Sequence, residues 1–343
     1  MSGKEIIFSE PLPVRAACHA RISLGIDLPC RAEILIDHLR VRKLQARELR
    51  PLAIGTTFLE IKTHPDASHI KCTLQVDGRP IDGGRFRVDC GQDIEPTPRN
   101  FIVIGAMKAG TTTLFELLAQ HPALCRTWAE LPGVSFPKEI NYFHDLYRKG
   151  DTPLHYDWRF PFDSANHVWT LDVSPSYAKW PASKAVPARI ASLGGKTKLA
   201  YILREPVDRI ESHLAHTLHH HGKTANLDKC IRTSRYALQL DKFMGHIERD
   251  DILLLDFEQL RRKPAVVLAQ ICDFLAIDRF ASRSVIRNRR GIEFRLDASQ
   301  RAELAEAVRP DVQRLINVYG FKPAERWLRK SALRRIGLSA FRR

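Results

Sequence analysis

The stretch FIVIGAMKAGTTTLFELLAQHP, from Phe101 to Pro122, constrains the fold of this chain more than any other. Phe101, Ile102, Val103 and Ile104 form a short unbroken apolar run, the pattern of a strand buried on both faces. A tight loop from Gly105 to Gly110 follows, and TTTLFELLAQHP reads as a helix ended by its proline. A tight loop between a buried strand and a helix start gathers free backbone N–H groups and the positive end of the helix dipole at one point. The hydroxyls of Thr111, Thr112 and Thr113 add donors, so a phosphate is the expected occupant.

Gly105 and Gly110 have the separation of the two Walker glycines, but Thr111 stands where the Walker lysine should follow the second glycine. The lysine is Lys108, inside the loop. A Walker lysine spans the β- and γ-phosphates of a magnesium-bound triphosphate; a lysine inside the loop lies against the phosphate nearest the nucleoside.

Strands alternating with longer helical segments continue beyond this loop and predict a mostly parallel sheet covered by helices. KLAYILRE reads as a second buried strand, and PVDRIESHLAHTLHHHG as a helix closed by glycine. DILLLDFEQL reads as a strand running into a turn, and KPAVVLAQICDFLAI as an amphipathic helix with Pro264 in its first turn. SQRAELAEAVRPDVQRLINVYG gives two helical pieces broken at Pro310.

Between about Ile6 and Cys90 the pattern is different: apolar and β-branched residues alternate between Gly, Pro and Asp punctuation, as in short strands. Asp77-Gly78 and Asp82-Gly83-Gly84 favour hairpins, and a small antiparallel sandwich or barrel is the expected form. The proline-bearing stretch DIEPTPRN separates the two patterns. The expected organisation is a β-rich accessory domain over 1–96, an α/β domain over 97–327 and a basic tail over 328–343.

The chain has 343 residues, 44% of them hydrophobic and 27% charged, which fits a globular protein rather than a disordered or fibrous one. No apolar run reaches the ~18 residues of a membrane span. Lys4 and Glu5 stand where a secretory signal would place its apolar stretch, so a cytoplasmic protein is expected. Seven cysteines lie scattered without CxxC spacing and read as free buried thiols. A formal net charge of +15 calls for anionic partners: nucleic acid, phosphate-bearing cofactors, anionic lipid or polyanionic sugar.

In both residue order and context, KAGTTTLFELLAQHP resembles the 5′-phosphosulfate loop of PAPS-dependent sulfotransferases, especially the branch of heparan sulfate and bacterial carbohydrate sulfotransferases. Over residues 101–327 the likeness implies a P-loop-like parallel sheet flanked by helices, here preceded by the β-rich domain. Lys108, Ala109, Gly110, Thr111, Thr112 and Thr113 would then hold the donor's 5′ side. ILREPVDRIES is similar to the family's 3′-phosphate segment, with Arg204 ending the strand and Ser212 eight residues later; arginine offers a planar fork for phosphate that lysine lacks. FPKEINYFHD resembles a short strand segment carrying the catalytic carboxylate, which makes Glu139 the general base. LDVSPSYAKWP is similar to a segment that places Asp172 at an acidic position and matches Ser174, Pro175 and Tyr177. Val173 departs from it where some relatives have a lysine, leaving Lys138 or Lys179 as substitutes. NRRGIEF resembles the late basic loop that closes over the 3′-phosphate, through Arg289, Arg290 and Gly291.

The resemblance therefore implies sulfuryl transfer from PAPS to an acceptor hydroxyl or amine, with adenosine 3′,5′-bisphosphate as product, Lys108 stabilising the leaving phosphate and no metal. It leans towards a carbohydrate or glycoconjugate acceptor. A P-loop nucleoside or sugar kinase is opposed by the missing Walker lysine. A non-enzymatic nucleic-acid-binding protein would explain the charge but leaves both phosphate motifs unexplained. His213, His216 and His220, with His219 and His221, read as a solvated helix end. The C-terminal RWLRKSALRRIGLSAFRR, with Trp327 among its apolar residues, fits either a basic tail or peripheral contact with an anionic membrane.

Overall fold

The computed structural model describes residues 99–127, 139–157, 159–160, 162, 164–222, 224–283 and 295–329 in full, together with the backbone of the strands before residue 94. The chain divides into two compact units: residues 1–97 with 127–137 and 148–162, and residues 98–126 with 138–147 and 163–343.

In the first unit the strands are β1 (Leu12–Pro13), β2 (Cys18–Ile26), β3 (Cys30–His38), β4 (Gln45–Leu52), β5 (Gly55–Lys62), β6 (His69–Val76), β7 (Arg79–Pro80) and β8 (Gly84–Asp93). They form two antiparallel sheets, one ordered β1-β6-β3-β4 with β7 on β6, the other β5-β2-β8. Val76 opposes Arg79, the pairing expected around Asp77-Gly78. β8 pairs with β2 along a ladder from Cys18 to Ile26; Asp82 and Gly83, where a second hairpin is expected, lie outside the described residues.

From Arg99 the elements are β9 (Arg99–Gly105), α1 (Thr111–Leu118), β10 (Leu124–Arg126), α2 (Pro153–Asp157, in the first unit), β11 (Trp169–Val173), α3 (Val186–Ala191), β12 (Lys196–Leu203), α4 (Pro206–His221), α5 (Leu227–Thr233), α6 (Tyr236–Met244), β13 (Ile252–Asp256), α7 (Phe257–Arg262), α8 (Pro264–Leu275) and α9 (Ala298–Asn317). The five strands run parallel in the order β10-β11-β9-β12-β13. This is the α/β sheet the sequence implies. Phe101 to Ile104 and Leu199 to Leu203 are wholly buried, which is why those strands read as unbroken apolar runs rather than alternating ones.

β9 lies at the centre of the sheet. The chain leaves it for β10 and β11 on one side and crosses to β12 and β13 on the other. Ligands of open α/β sheets bind at such a switch point, beyond the carboxyl ends of the strands. Gly105, Val173 and Leu203 end β9, β11 and β12 there, so the loops carrying Lys108, Ser174 and Arg204 leave the sheet side by side.

Two helical expectations change. DFEQL is a helix, α7, with the Asp256 carboxylate accepting from Glu258 N at 3.1 Å as its cap. Pro310 does not split the last segment: α9 runs unbroken for 20 residues. An interior proline costs a helix about 3 kcal/mol, and contacts on both sides of it outweigh that cost. Leu304, Val308, Val312 and Leu315 are buried along one face. Asp311 accepts hydrogen bonds from Ala237 N and Leu238 N, at 3.0 and 2.9 Å, at the start of α6.

Trp327 is buried against the rings of Tyr236 and Phe321. It belongs to the core of the second unit and is closed to a membrane surface, while residues 330–343 lie outside the described residues. Cys125, Cys230 and Cys272 are buried, as expected. Among the described residues no helix is long and apolar enough to cross a membrane.

Candidate functional site

The loop between β9 and α1 is held open by backbone conformation. Lys108 has φ 68° and Gly110 has φ 82°. A left-handed lysine is uncommon, and here it turns the chain sharply at the loop's one cation. Gly110 is the N-cap of α1, which receives no side-chain cap and has no acidic residue in its first turn. The opening N–H groups of α1 therefore point out of the loop without a carboxylate of their own. Thr111 is buried at the helix start; Thr112 and Thr113 are half-exposed beside it. A Cβ on Gly110 would lie 3.1 Å from the Phe257 ring, so the loop is packed from beneath by α7.

Arg204 stands immediately beyond β12 and reaches the same loop. Its Nη1 donates to the backbone oxygen of Lys108 at 3.0 Å, and its guanidinium lies over the Phe257 ring at 4.9 Å. Tyr236 fixes the backbone here, its hydroxyl donating to Arg204 O at 2.7 Å. Burial pulls the Arg204 pKa down from its ordinary value, opposed by Asp208, Tyr236 and Glu205. A cation so desolvated is one whose cost an anionic ligand offsets. The next helix start differs from that of α1: Glu205 caps α4 by accepting from Asp208 N at 2.6 Å. Anion binding at α4 falls to side chains, and Ser212 lies half-buried on that helix.

Glu139 is half-buried just before Asn141, whose φ of 50° leads into a π-helical turn over Tyr142–Leu146. The strand expected over this segment is absent from its described residues. The segment is anchored by hydrogen bonds to the loop after β11, which leave it no strand partner. Asp172 and Val173 are wholly buried at the end of β11. Val173 lies opposite Val103 within the sheet. Lys179, five residues beyond Ser174 in the same loop, is largely out of solvent; burial lowers its pKa while the charge of Glu139 raises it. It supplies an amine within electrostatic reach of the candidate base. Lys138 lies outside the described residues.

A profile of the sulfotransferase family matches residues 99–281, more than half of the chain and all of the segments just described. The chain belongs to the sulfotransferase family. Curated relatives include the bifunctional heparan sulfate N-deacetylase/N-sulfotransferase 4 of Mus musculus and enzyme 3 of the same name from Homo sapiens. Each is 28% identical over 200 residues, covering 52% of this chain and 22% of the relative. The chain thus matches under a quarter of the length of these relatives. A solved sulfotransferase from Alicyclobacillus acidocaldarius shares the fold, with TM-score 0.51 at 21% identity over 65% of this chain and 96% of that one. Family membership sets aside the kinase and nucleic-acid-binding readings.

Two residues near the candidate site were not legible as such in the sequence. Phe257, read as part of a turn, forms the floor shared by Gly110 and Arg204. His213, read as part of a solvated helix end, is half-buried with Nδ1 3.3 Å from the Cys230 sulfur. Burial, then the charges of Arg209, Lys179 and Lys108, push the His213 pKa down to about 3. His216 is lowered to about 4 by burial and by Lys108. His216, His219, His220 and His221 do lie exposed at the helix end, as expected. Arg289, Arg290 and Gly291 lie outside the described residues.

Proposed function

We propose that this sulfotransferase moves a sulfuryl group from PAPS to a hydroxyl or amine of a carbohydrate or glycoconjugate. The observation that carries the donor assignment is the uncapped start of α1, with Lys108 in its loop and Arg204 hydrogen-bonded to the Lys108 carbonyl. A 5′-phosphate fits the first; Arg204 with Ser212 suits the 3′-phosphate, with Arg290 and Gly291 as further contributors from the late basic loop. The heparan sulfate N-sulfotransferase names of the relatives support a carbohydrate acceptor.

PAPS supplies an activated sulfuryl group on a phosphate leaving group, and transfer proceeds by in-line displacement helped by positioning and charge stabilisation. Glu139 takes the proton from the acceptor as its oxygen or nitrogen bonds to sulfur. The Lys108 ammonium and the opening amides of α1 stabilise negative charge gathering on the phosphate oxygen as the S–O bond breaks. Arg204 fixes the nucleotide's other end. A cytoplasmic location is part of the same proposal and is checked by cell fractionation.

Calorimetric titration with adenosine 3′,5′-bisphosphate, without magnesium, tests the donor site. Micromolar binding that is lost in both Lys108→Ala and Arg204→Ala is the expected result. Binding of magnesium–ATP in its place overturns the reading. Transfer of labelled sulfate from PAPS to N-desulfated heparan sulfate, compared with the N-acetylated polymer, separates amine from hydroxyl acceptors.

A further inference from the structure

Asp172 is wholly buried at the end of β11, and its two carboxylate oxygens each accept from a hydroxyl of the loop that follows. Ser174 Oγ donates to Oδ1 at 2.6 Å and Tyr177 OH donates to Oδ2 at 2.9 Å. Burial and the Asp172 charge hold the Tyr177 pKa well above its ordinary value, so that hydroxyl keeps its proton and remains a donor. Each hydroxyl in turn accepts a backbone N–H from the segment that carries Glu139: Asn141 N to Ser174 Oγ at 3.0 Å, and Phe143 N to Tyr177 OH at 3.5 Å. Ser176 Oγ adds a bond to Asn141 Oδ1 at 2.5 Å, and Arg189 Nη1 donates to Phe143 O at 2.6 Å.

The other side of the same loop is tied to the donor strand. Ser174 N donates to Val103 O and Ala178 N to Ile104 O, both at 3.1 Å, immediately before the phosphate loop begins at Gly105. Residues 174–178 therefore connect the strand that aims Lys108 to the segment that aims Glu139. An ionised carboxylate polarises both hydroxyls as acceptors, since a hydroxyl donating to a charge accepts more strongly in a buried chain of bonds.

We propose that Asp172 is a positioning residue: through Ser174 and Tyr177 it fixes the backbone of residues 141–143 against the donor loop, and so sets where the Glu139 carboxylate meets the acceptor. The proposal rests on Glu139 as base. It assigns Asp172 a role in register between base and leaving group, with no contact to either substrate.

The test uses the whole protein with Asp172→Asn, Ser174→Ala, Ser174→Thr and Glu139→Gln. Ser174→Ala removes one link and leaves the buried carboxylate in place, so it reports even if Asp172→Asn folds poorly. Three readouts are taken: amide hydrogen exchange at Asn141 and Phe143, affinity for adenosine 3′,5′-bisphosphate, and turnover of PAPS with acceptor in excess. In Ser174→Ala and Asp172→Asn, exchange at those amides accelerates and kcat falls about 10–100-fold, the loss expected for misplacing a catalytic group by about an ångström. Nucleotide affinity stays at the unsubstituted level, and Ser174→Thr restores both exchange protection and kcat. A merely structural role would move the nucleotide affinity with kcat and give no recovery in the threonine variant, which overturns the proposal. Glu139→Gln that is inactive beside a fully active Ser174→Ala keeps the base and sinks the positioning role. Full activity in Glu139→Gln removes both.

Discussion

The guanidinium of Arg204 donates a hydrogen bond to the backbone carbonyl of Lys108, 3.0 Å away, so the cations assigned to opposite ends of the nucleotide are tied by one contact. Arg204 orders the loop that carries Lys108 as well as offering its own charge. Arg204→Lys keeps the charge and loses the planar fork. Its affinity for adenosine 3′,5′-bisphosphate should fall about 10–100-fold, the worth of a charge-assisted bond, measured by calorimetry. Affinity within twofold of the unsubstituted protein would show that charge alone suffices.

Gly110→Ala should destabilise the fold by about 1–2 kcal/mol through its left-handed backbone, and by more through the 3.1 Å approach of a new Cβ to Phe257. Phe257→Leu in the same chain should recover the second part and leave the first. Urea unfolding of the single and double variants separates them.

His213 is held neutral in the fold, with its pKa pushed from 6.5 down to about 3. The unfolded chain takes up a proton below its ordinary value while the folded chain does not, so stability is complete above about pH 6.5 and is lost as pH falls towards 3. In His213→Asn the denaturation midpoint should vary less with pH across that window. Nucleotide phosphates beside Lys108 would relieve the repulsion, so binding near pH 5 should take up protons. Calorimetry in buffers of different ionisation enthalpy reads that uptake.

Asp311→Ala should cost about 1–3 kcal/mol, because Ala237 N and Leu238 N lose their acceptor at the start of α6. A thermal melt unchanged by the substitution would mean that solvent replaces the carboxylate there.

Much of the sheet was legible because burial on both faces writes itself as unbroken apolar runs, as in Phe101–Ile104 and Leu199–Leu203. The end of α4 was equally plain, with Gly222 in the left-handed conformation at its close. Local patterns carried those assignments. What escaped depends on contacts distant in sequence. Pro310 looks like a breaker until Asp311 is seen holding a helix start some 70 residues away. Phe257 looks like an ordinary apolar residue until Gly110 and Arg204 close on it. Asp172 carries its acidic character openly, but its reach to Asn141 and Phe143 through two hydroxyls cannot be read from spacing. His213 has helical spacing with its neighbours, and nothing in that spacing reveals the cations around it.

Gly110 begins α1 without a side chain to close the helix. In most helices that closure is built in by a serine or aspartate at the N-cap; here the chain leaves it to whatever anion arrives. Under the proposed function, the 5′-phosphate of the nucleotide would stand where an N-cap side chain otherwise stands, at the first turn of a helix already formed. By mass action a ligand at a hundred times its Kd adds about 2.7 kcal/mol to the folded state. The melting temperature should therefore rise with the concentration of adenosine 3′,5′-bisphosphate, and a melt unmoved by saturating nucleotide would count against the proposed donor site.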